Sequence, residues 1–330
     1  MKFQRFTLAE QLPDSWNERA ENYFQLKKFL LHTEKYNPCQ QRYYLCEENE
    51  KIAACAIIYT LRLDILTFLK IKSPLKMHIC GVPCSVSSSG IFGNSEAIEK
   101  LKDFIREKEK GFLLFLNLTE KPVNSKYAFG KTLPTIIMKN EFSDWNNYLT
   151  SLRSSYRRRI KLMNNNDEIE FQTLKCNSFD NKMYAQYLEV FNHSKGKLEK
   201  LSLDFFKNLP DEFVLTSCNL NNEILGWNLG LLDENIYYFF LGGINYNKNK
   251  NHNTYFRLLS NLVKNGIESK AEIIELGQTA ETAKMRFGGN PYELWMEASH
   301  SNPLFNRLIK LFSPMLEYKY KPEKNRVNKI

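Results

Sequence analysis

The sequence lacks the cysteine pattern of a disulfide-stabilised protein. Its seven cysteines are an odd number and are scattered, mostly within apolar runs, at positions 39, 46, 55, 80, 84, 176 and 218. Free thiols in a reducing cytoplasm fit this distribution better than a disulfide framework. Cys80 and Cys84 are too far apart for a Cys-x-x-Cys pair and have no second Cys or His pair nearby, so we expect no zinc and no other metal.

The sequence also lacks the features of secretion and membrane insertion. The first residues show no cationic start, apolar core and small-residue cleavage site, so we expect no signal peptide. The longest apolar runs are far shorter than the ~20 residues that a membrane span needs. We therefore expect a cytoplasmic protein.

Positive charge, in contrast, is abundant. The 46 Lys and Arg residues outnumber the 37 Asp and Glu residues, which gives a net charge of +9. Such a charge predicts an anionic partner: a nucleotide-containing cofactor, tRNA or a membrane surface. An apolar share of 43% is typical of a globular protein, and 330 residues predict two domains of ordinary size.

The most informative stretch, 273–289, has the sequence IIELGQTAETAKMRFGG. An apolar strand leads into a Gly-Gln-Thr turn, and a short helix that carries Lys284 and Arg286 ends on a Gly-Gly pair. This order predicts a place where backbone N–H groups and two positive charges converge on an anion. Acyl transfer needs such a place, because a negative oxygen develops in its transition state. The alternative is an ordinary turn with a solvated Lys and Arg.

Hydrophobic periodicity divides the second half of the chain into a definite order of elements. The predicted helices are 143–163, 180–193, 203–209 and one that follows the polar loop 245–253. The predicted strands are 169–174, 213–220, 224–232, 236–244, 271–276 and 292–298. The first helix carries the highest charge density in the chain, with Arg153, Arg157, Arg158, Arg159 and Lys161.

The first half repeats this order more loosely. Its predicted helices are 23–32 and 96–110, and its predicted strands are 43–46, 52–63, 77–83, 112–118 and 135–139. We therefore predict an α/β protein with mixed sheets, made of two copies of one unit over 1–140 and 141–302, followed by an amphipathic helix and basic tail over 303–330. The first copy is the candidate acceptor side, since its Ser- and Gly-rich loop 81–94 precedes a helix and offers groups that bind phosphate or sugar. A purely structural loop is the alternative.

The element order of the second half resembles the GNAT acyltransferase fold. Its doubling resembles the Fem-type aminoacyl (peptidyl) transferases and the acetyltransferase-like proteins of tandem GNAT build. Two patterns carry the resemblance: LTSLRSSYRRRIK at 149–161 is similar to the basic helix that starts the family's second domain, and Gly277 followed by KMRFGG at 284–289 is similar to its strand-end glycine and Lys-plus-Gly-rich close. The resemblance implies two tandem GNAT-like domains plus a C-terminal helix, and direct attack of an amine on acyl-CoA, such as acetyl-CoA, without an acyl-enzyme.

The resemblance also implies how the acyl donor is held. GNAT proteins splay their fourth strand, which is 236–244 here, and Gly242 and Gly243 lie where that strand would bulge and free an N–H for the thioester carbonyl. The alternative is a structural bulge that binds no ligand.

The phosphates of the donor need N–H groups at a helix start, which we expect from Asn253 and Thr254, with Arg257 on the first turn. The loop before this helix has no glycine, unlike the family's pyrophosphate loop. Asparagine tolerates a left-handed backbone, and Lys248 and Lys250 would add charge. A solvated first-turn arginine is the alternative for Arg257.

The reacting centre needs a positive charge and a base. Lys284 is our first candidate for the charge, by resemblance to the Fem-type lysine, and Arg286 is the second. Glu275, at the end of the central strand, is the candidate base for the attacking amine, with His193 and His252 as alternatives. Side chains alternate along a strand, so Glu275 could also face away from the site.

The basic helix is a candidate platform for phosphate, on a donor or on an acceptor. We assign substrate binding to its Arg153 and Arg157, and to Gln278 in the turn. A solvated surface that holds acidic neighbours is the alternative.

The leading hypothesis is a cytoplasmic N-acyltransferase that transfers an acyl group from acyl-CoA to a small-molecule amine, with a sugar or cell-envelope precursor as a candidate acceptor. A Fem-type transferase that uses aminoacyl-tRNA and a non-catalytic GNAT-like binding protein are the alternatives. The apolar stripe of helix 303–316 and the basic tail permit peripheral contact with an anionic membrane, although packing on the second domain explains the same stripe. We expect no DNA partner.

Overall fold

The computed structural model describes residues 1–37, 39–63, 75–84, 86–122, 126–164, 168–194, 198–319 and 327–328. The chain forms two compact units. The first unit comprises Met1–Leu133 and Glu293–Tyr320, and the second comprises Pro134–Tyr292 and Lys321–Ile330. Each unit has its own mixed sheet with helices, so the predicted α/β class with two mixed sheets is confirmed.

The sheet of the first unit has, in its described residues, the strand order β1-β2-β3-β4-β6-β15-β7, with β5 also paired to β3. Its ladders are antiparallel except for the parallel pair of β4 and β6. The strands are β1 (Lys2–Phe6), β2 (Arg42–Glu48), β3 (Lys51–Leu63), β4 (Leu75–Cys80), β5 (Ile91–Gly93), β6 (Phe112–Leu118), β7 (Ala128–Lys131) and β15 (Trp295–His300). The helices are α1 (Ser15–Arg19), α2 (Lys27–Tyr36), α3 (Ser95–Lys108) and α11 (Pro303–Leu316).

The sheet of the second unit has the described order β14-β8-β13-β12-β11-β10-β9, and its one parallel pair within these residues is β12 with β13. The strands are β8 (Thr135–Lys139), β9 (Ile169–Leu174), β10 (Phe213–Leu220), β11 (Glu223–Asp233), β12 (Ile236–Ile244), β13 (Ile273–Gly277) and β14 (Asn290–Tyr292). The helices are α4 (Trp145–Ser151), α5 (Ser154–Asn164), α6 (Asn181–His193), α7 (Leu203–Lys207), α8 (Tyr246–His252), α9 (Thr254–Glu268) and α10 (Glu281–Met285).

The unit boundaries differ from the predicted division at residue 140. Strand β8, predicted in the first copy, lies in the second sheet between β14 and β13. The predicted strand 292–298 is instead two strands in two sheets, because β14 ends at Tyr292 and β15 lies between β6 and β7 of the first unit. Helix α11 belongs to the first unit and packs on its strands β7 and β15. Such pairings between distant strands have no local signal in the sequence.

The predicted helix 143–163 is interrupted. Asp144 caps its start by accepting a hydrogen bond from a backbone N–H of the first turn. Leu152, however, has an extended backbone and forms a β-bridge with Asn328, and the N–H of Arg153 donates to the carbonyl of Val327 at 3.0 Å. The chain therefore forms α4 and α5, with a short extended joint held by residues 327–328.

Helices in the described part of the chain are all too short or too polar to cross a membrane.

Candidate functional site

Strands β12 and β13 lie side by side only at their first residues. Residues 236–238 of β12 pair with 273–275 of β13, whereas β12 continues to Ile244 and β13 to Gly277 outside this ladder. Their shared ladder therefore ends at Tyr238 and Glu275, while the carbonyl oxygen of Phe239 is still 3.6 Å from the position that a Cβ of Gly277 would take. The splay of strand 236–244 stays a prediction.

The bulge in β12 is not at the predicted glycine pair. The register of β11 against β12 shifts at Phe240, and Gly242 and Gly243 pair regularly with β11 beyond it. A Cβ at Gly243 would lie 2.5 Å from Nε1 of Trp227, whose indole donates to the carbonyl of Met183 on α6 at 2.9 Å. Glycine at 243 is thus required by the packing of the indole, which is a structural reason for this residue type.

The amine of Lys284 lies close to the point where the ladder of β12 and β13 ends. Its side chain is 2% exposed, and Nζ donates to the carbonyl oxygen of Gln278 at 2.5 Å. Nζ also lies 5.5 Å from the ring centroid of Phe239, the first residue of β12 beyond the ladder, and 3.9 Å from the position that a Cβ of Gly277 would take. Phe239 of β12 and Gly277 of β13 therefore both contribute to the surroundings of this amine.

Burial lowers the pKa of Lys284 to about 7, although the carboxylates of Glu281 and Glu275 favour its charged form. Both protonation states are accordingly populated near neutral pH. A buried amine with such a pKa, close to the end of the β12–β13 ladder, is typical of a functional site.

The turn that holds Lys284 has an unusual backbone. Gly277 has φ of 71°, and Thr279 and Ala280 have φ of 62° and 51°. The left-handed region is strained for residues with a side chain, and such strain is concentrated at functional sites in proteins. Here it turns the carbonyl of Gln278 toward Lys284, so that the predicted substrate residue contacts the catalytic candidate.

Glu275 lies on β13 next to this turn. Its carboxylate accepts a hydrogen bond of 3.0 Å from Oγ1 of Thr135 on β8. Its neighbour Ile274 is fully buried against Gly266 of α9, so Glu275 projects from the other face of the sheet. The role of Glu275 as a base stays a prediction.

A groove of about 530 Å³ opens on the second unit where α5, the start of α9 and the end of α10 meet. The residues that line it, three of them arginines, are Ser155, Arg158, Arg159, Leu162, Met163, Asn253, Phe256 and Arg286. No acidic residue is among these lining residues of the described chain. Guanidinium groups bind phosphate oxygens through paired donors, so the arrangement favours a phosphate-bearing ligand.

The arginines of the groove are not the pair that the sequence singled out. Arg153 donates its Nε to the carbonyl of Asn328 at 3.3 Å, and Arg157 donates Nη1 to the carbonyls of Thr150 and Leu152 at 3.3 and 3.5 Å. Both thus stabilise the joint of α4 and α5. The residues that were missed are Arg158 and Arg159, which share a helix face with the groove residues at 155 and 162. That spacing was visible in the sequence.

The predicted loop 245–253 is mostly helix α8. Asn245 caps α8 by accepting from the N–H of Lys248. The ammonium of Lys248 forms an ion pair with Glu223, and Lys250 is exposed. The phosphate-binding role of this segment stays a prediction.

The start of α9 contributes one residue of the predicted phosphate set to the groove. Asn253 has φ of 51° between α8 and α9 and lines the groove. Thr254 is fully buried. Arg257 is buried as well, and its Nε donates to the carbonyl of His252 at 2.9 Å, so it ties α9 to α8.

The described residues contain no group of three or more His, Cys, Asp and Glu side chains placed to hold a metal ion. Sequence comparison finds no matching family model and no matching curated relative. Solved structures match over nearly the whole chain. FemX aligns with 11% identity and a TM-score of 0.56, over 94% of this chain and 100% of its own.

Two further structures are similar. The C-terminal domain of a putative lysylphosphatidylglycerol synthetase from Agrobacterium fabrum has 8% identity and a TM-score of 0.57, over 91% of this chain and 94% of its own. A tandem GNAT protein from the clavulanic acid biosynthesis pathway has 6% identity and a TM-score of 0.53, over 92% of this chain and 99% of its own.

The chain has the tandem GNAT and Fem-type fold. This confirms the predicted fold family. In this tandem GNAT-like fold the second unit carries the short β12–β13 ladder, and Lys284 and the arginine groove both belong to that unit. A fold does not determine an activity, which depends on the residues of the site.

Proposed function

We propose that this chain is an N-acyltransferase that transfers an acyl group from acyl-CoA to a small-molecule amine. The observation that supports this proposal is the buried amine of Lys284, which lies close to the end of the β12–β13 ladder. The reaction exchanges the C–S bond of a thioester for a C–N bond, and the proton of the attacking amine leaves with the thiol. We propose a cytoplasmic reaction, since acyl-CoA is found there.

We assign donor binding, oxyanion stabilisation and proton transfer to different residues of the second unit. Arg158, Arg159 and Arg286 bind the donor phosphates in the groove. We place an extended donor arm beside β12 beyond residue 238, where its ladder with β13 ends. Lys284, in its ammonium form, stabilises the negative oxygen that develops at the acyl carbonyl. Glu275 is the proposed acceptor of the amine proton.

Transfer from aminoacyl-tRNA is the second candidate. Two observations favour it: FemX and the lysylphosphatidylglycerol synthetase domain are among the similar structures, and the segment 245–253 has no glycine and is mostly helix α8. The arginine groove would then hold phosphates of the tRNA acceptor end. FemX similarity also motivates a cell-envelope or sugar precursor as acceptor, with the first unit as the acceptor side.

Calorimetric titration with acetyl-CoA, longer acyl-CoA, free CoA and aminoacyl-tRNA tests the proposal. We expect micromolar affinity for acyl-CoA, which falls about tenfold or more in Arg158→Gln/Arg159→Gln. Lys161→Gln removes a cation of the same helix that is absent from the groove lining, and it should bind as wild type. Binding of aminoacyl-tRNA alone would select the second candidate.

Binding must then be followed by turnover. We expect thiol release from acyl-CoA in the presence of a panel of amines, and loss of this release in Lys284→Met. Tight binding of acyl-CoA without acyl transfer to any amine, amino sugar or cell-wall precursor would indicate a GNAT-like binding protein.

A further inference from the structure

Helix α11 presents the main cluster of exposed apolar side chains in the described chain. Five of its large apolar residues are 41–70% exposed: Leu304, Phe305, Leu308, Leu311 and Phe312. Positions 304, 308 and 311, and likewise 305 and 312, recur at helical spacing, so the five form one stripe. Contiguous apolar stripes of this kind mark interaction surfaces.

The orientation of α11 is fixed at both ends. The N–H of His300, at the end of β15, donates to the side chain of Asn306 at 3.2 Å. At the other end, the N–H of Lys131 on β7 donates to the carboxylate of Glu317, and the N–H of Tyr318 donates to the carbonyl of Lys131 at 2.9 Å. Strands β7 and β15 thereby hold the apolar stripe outward.

The charged residues of α11 are of one sign. The helix contains no Asp or Glu, and its two charged residues, Arg307 and Lys310, are both exposed. An apolar stripe with cations beside it complements a surface that is apolar below and anionic above.

We propose that α11 docks the first unit on an anionic lipid bilayer, with the helix in the plane of the surface. Its 14 residues span only about 21 Å, which is less than the ~30 Å of a hydrocarbon core, so it lies on the membrane and does not cross it. The apolar stripe enters the headgroup boundary, and Arg307 and Lys310 contact lipid phosphates. A protein partner or a second copy would fit the apolar stripe without needing this excess of cations.

Vesicle flotation of the full chain tests this proposal. We expect binding to vesicles that contain phosphatidylglycerol, and weak or no binding to pure phosphatidylcholine. Leu308→Glu/Leu311→Glu should lower the partition coefficient by about a hundredfold or more, because it places charge in the apolar stripe. Arg307→Gln/Lys310→Gln should lower it by about tenfold or more on anionic vesicles and reduce its salt dependence.

Leu232→Glu is the matched control, since Leu232 is an exposed leucine of the second unit, with 43% exposure. It should bind vesicles as wild type does, and circular dichroism should show that all variants are folded. Wild-type chain that fails to bind anionic vesicles overturns the proposal, and so does equal binding by Leu308→Glu/Leu311→Glu. A concentration-dependent dimer that this variant abolishes, without vesicle binding, would assign the stripe to a second copy instead.

Discussion

Lys284 donates a hydrogen bond to the carbonyl of Gln278, six residues earlier in the same strand–turn–helix segment. One short stretch of chain therefore supplies both the buried amine and its partner. An uncharged amine could make the same bond, so the bond alone does not compensate for burial of the charge. The amine is thus held in one position while its protonation remains adjustable.

Lys284→Met should raise the free energy of unfolding at pH 6. The pKa of this amine is about 7 in the folded chain, against an ordinary value of 10.5. The folded chain therefore binds this proton more weakly than the unfolded chain does. The cost of the charged form is present in full below pH 7, and it amounts to about 3 to 5 kcal/mol. Methionine fills similar volume without charge and removes this cost. Denaturant titration measures the difference.

The free energies of unfolding of the wild type and of Lys284→Met should converge as pH rises. Above pH 7 the folded wild type releases the proton that the unfolded chain still binds, so the wild type gains about 1.4 kcal/mol per pH unit relative to Lys284→Met. Titrations at pH 6, 7, 8 and 9 follow this gain. A difference that stays constant with pH would contradict a lowered pKa for Lys284.

Acyl transfer should depend on the ammonium form of Lys284. We expect kcat/KM to fall as pH rises through about 7 on this account, since the neutral amine stabilises an oxyanion poorly. Lys284→Met should lower kcat by about 10²- to 10³-fold at pH 6.5. Lys284→Arg keeps the charge at all these pH values, so whatever activity it retains should lose this decline. An unchanged decline in Lys284→Arg would assign the titration to another group.

Arg157 and Arg286 should separate stability from donor binding. Arg157→Gln should lower the free energy of unfolding by about 1 kcal/mol, because it removes hydrogen bonds to the end of α4, while donor affinity stays as in wild type. Arg286→Gln should do the reverse and weaken donor binding by about tenfold. Thermal unfolding and calorimetric titration of both variants check the pair, and a larger affinity loss in Arg157→Gln would contradict the assignment of the groove.

Gly243→Ala should destabilise the second unit by about 1 to 3 kcal/mol, because the new Cβ would lie 2.5 Å from Trp227 Nε1 and 2.9 Å from the backbone nitrogen of Tyr187. Gly81→Ala is the control, since the nearest atom there, on Tyr59, is 3.4 Å away. Guanidinium titration should show little change or a small gain for the control. Equal stability of Gly243→Ala and wild type would show that the indole moves aside.

Features encoded by neighbouring residues were predictable from the sequence. The apolar run of β13, the turn after it and the short helix with Lys284 are all present where the pattern placed them. The cap by Asp144 was predictable for the same reason, since it depends on residues within one turn. The fold family followed from this order of elements.

Features that depend on distant residues were missed. The break between α4 and α5 is formed by a bridge from Leu152 to Asn328, at the far end of the chain, so no window around residue 152 contains its cause. Whether Lys284 is buried or solvated depends likewise on where Phe239 of β12 lies. The choice of Arg158 and Arg159 over Arg157, by contrast, was available from their helical spacing with residues 155 and 162, which does not depend on the break.

Strand β15 affects how the chain can be synthesised and folded. Strand β7 has β15 as its sheet neighbour, yet the second unit lies between them in sequence, so residues 128–131 must wait for residues 295–298 to leave the ribosome. The second unit is likewise incomplete until residue 328 has been synthesised, because Asn328 forms the β-bridge with Leu152. Neither unit can be completed when its earlier residues are synthesised, and we expect the final cooperative step to follow the emergence of residues 295–298 and 327–328 from the ribosome.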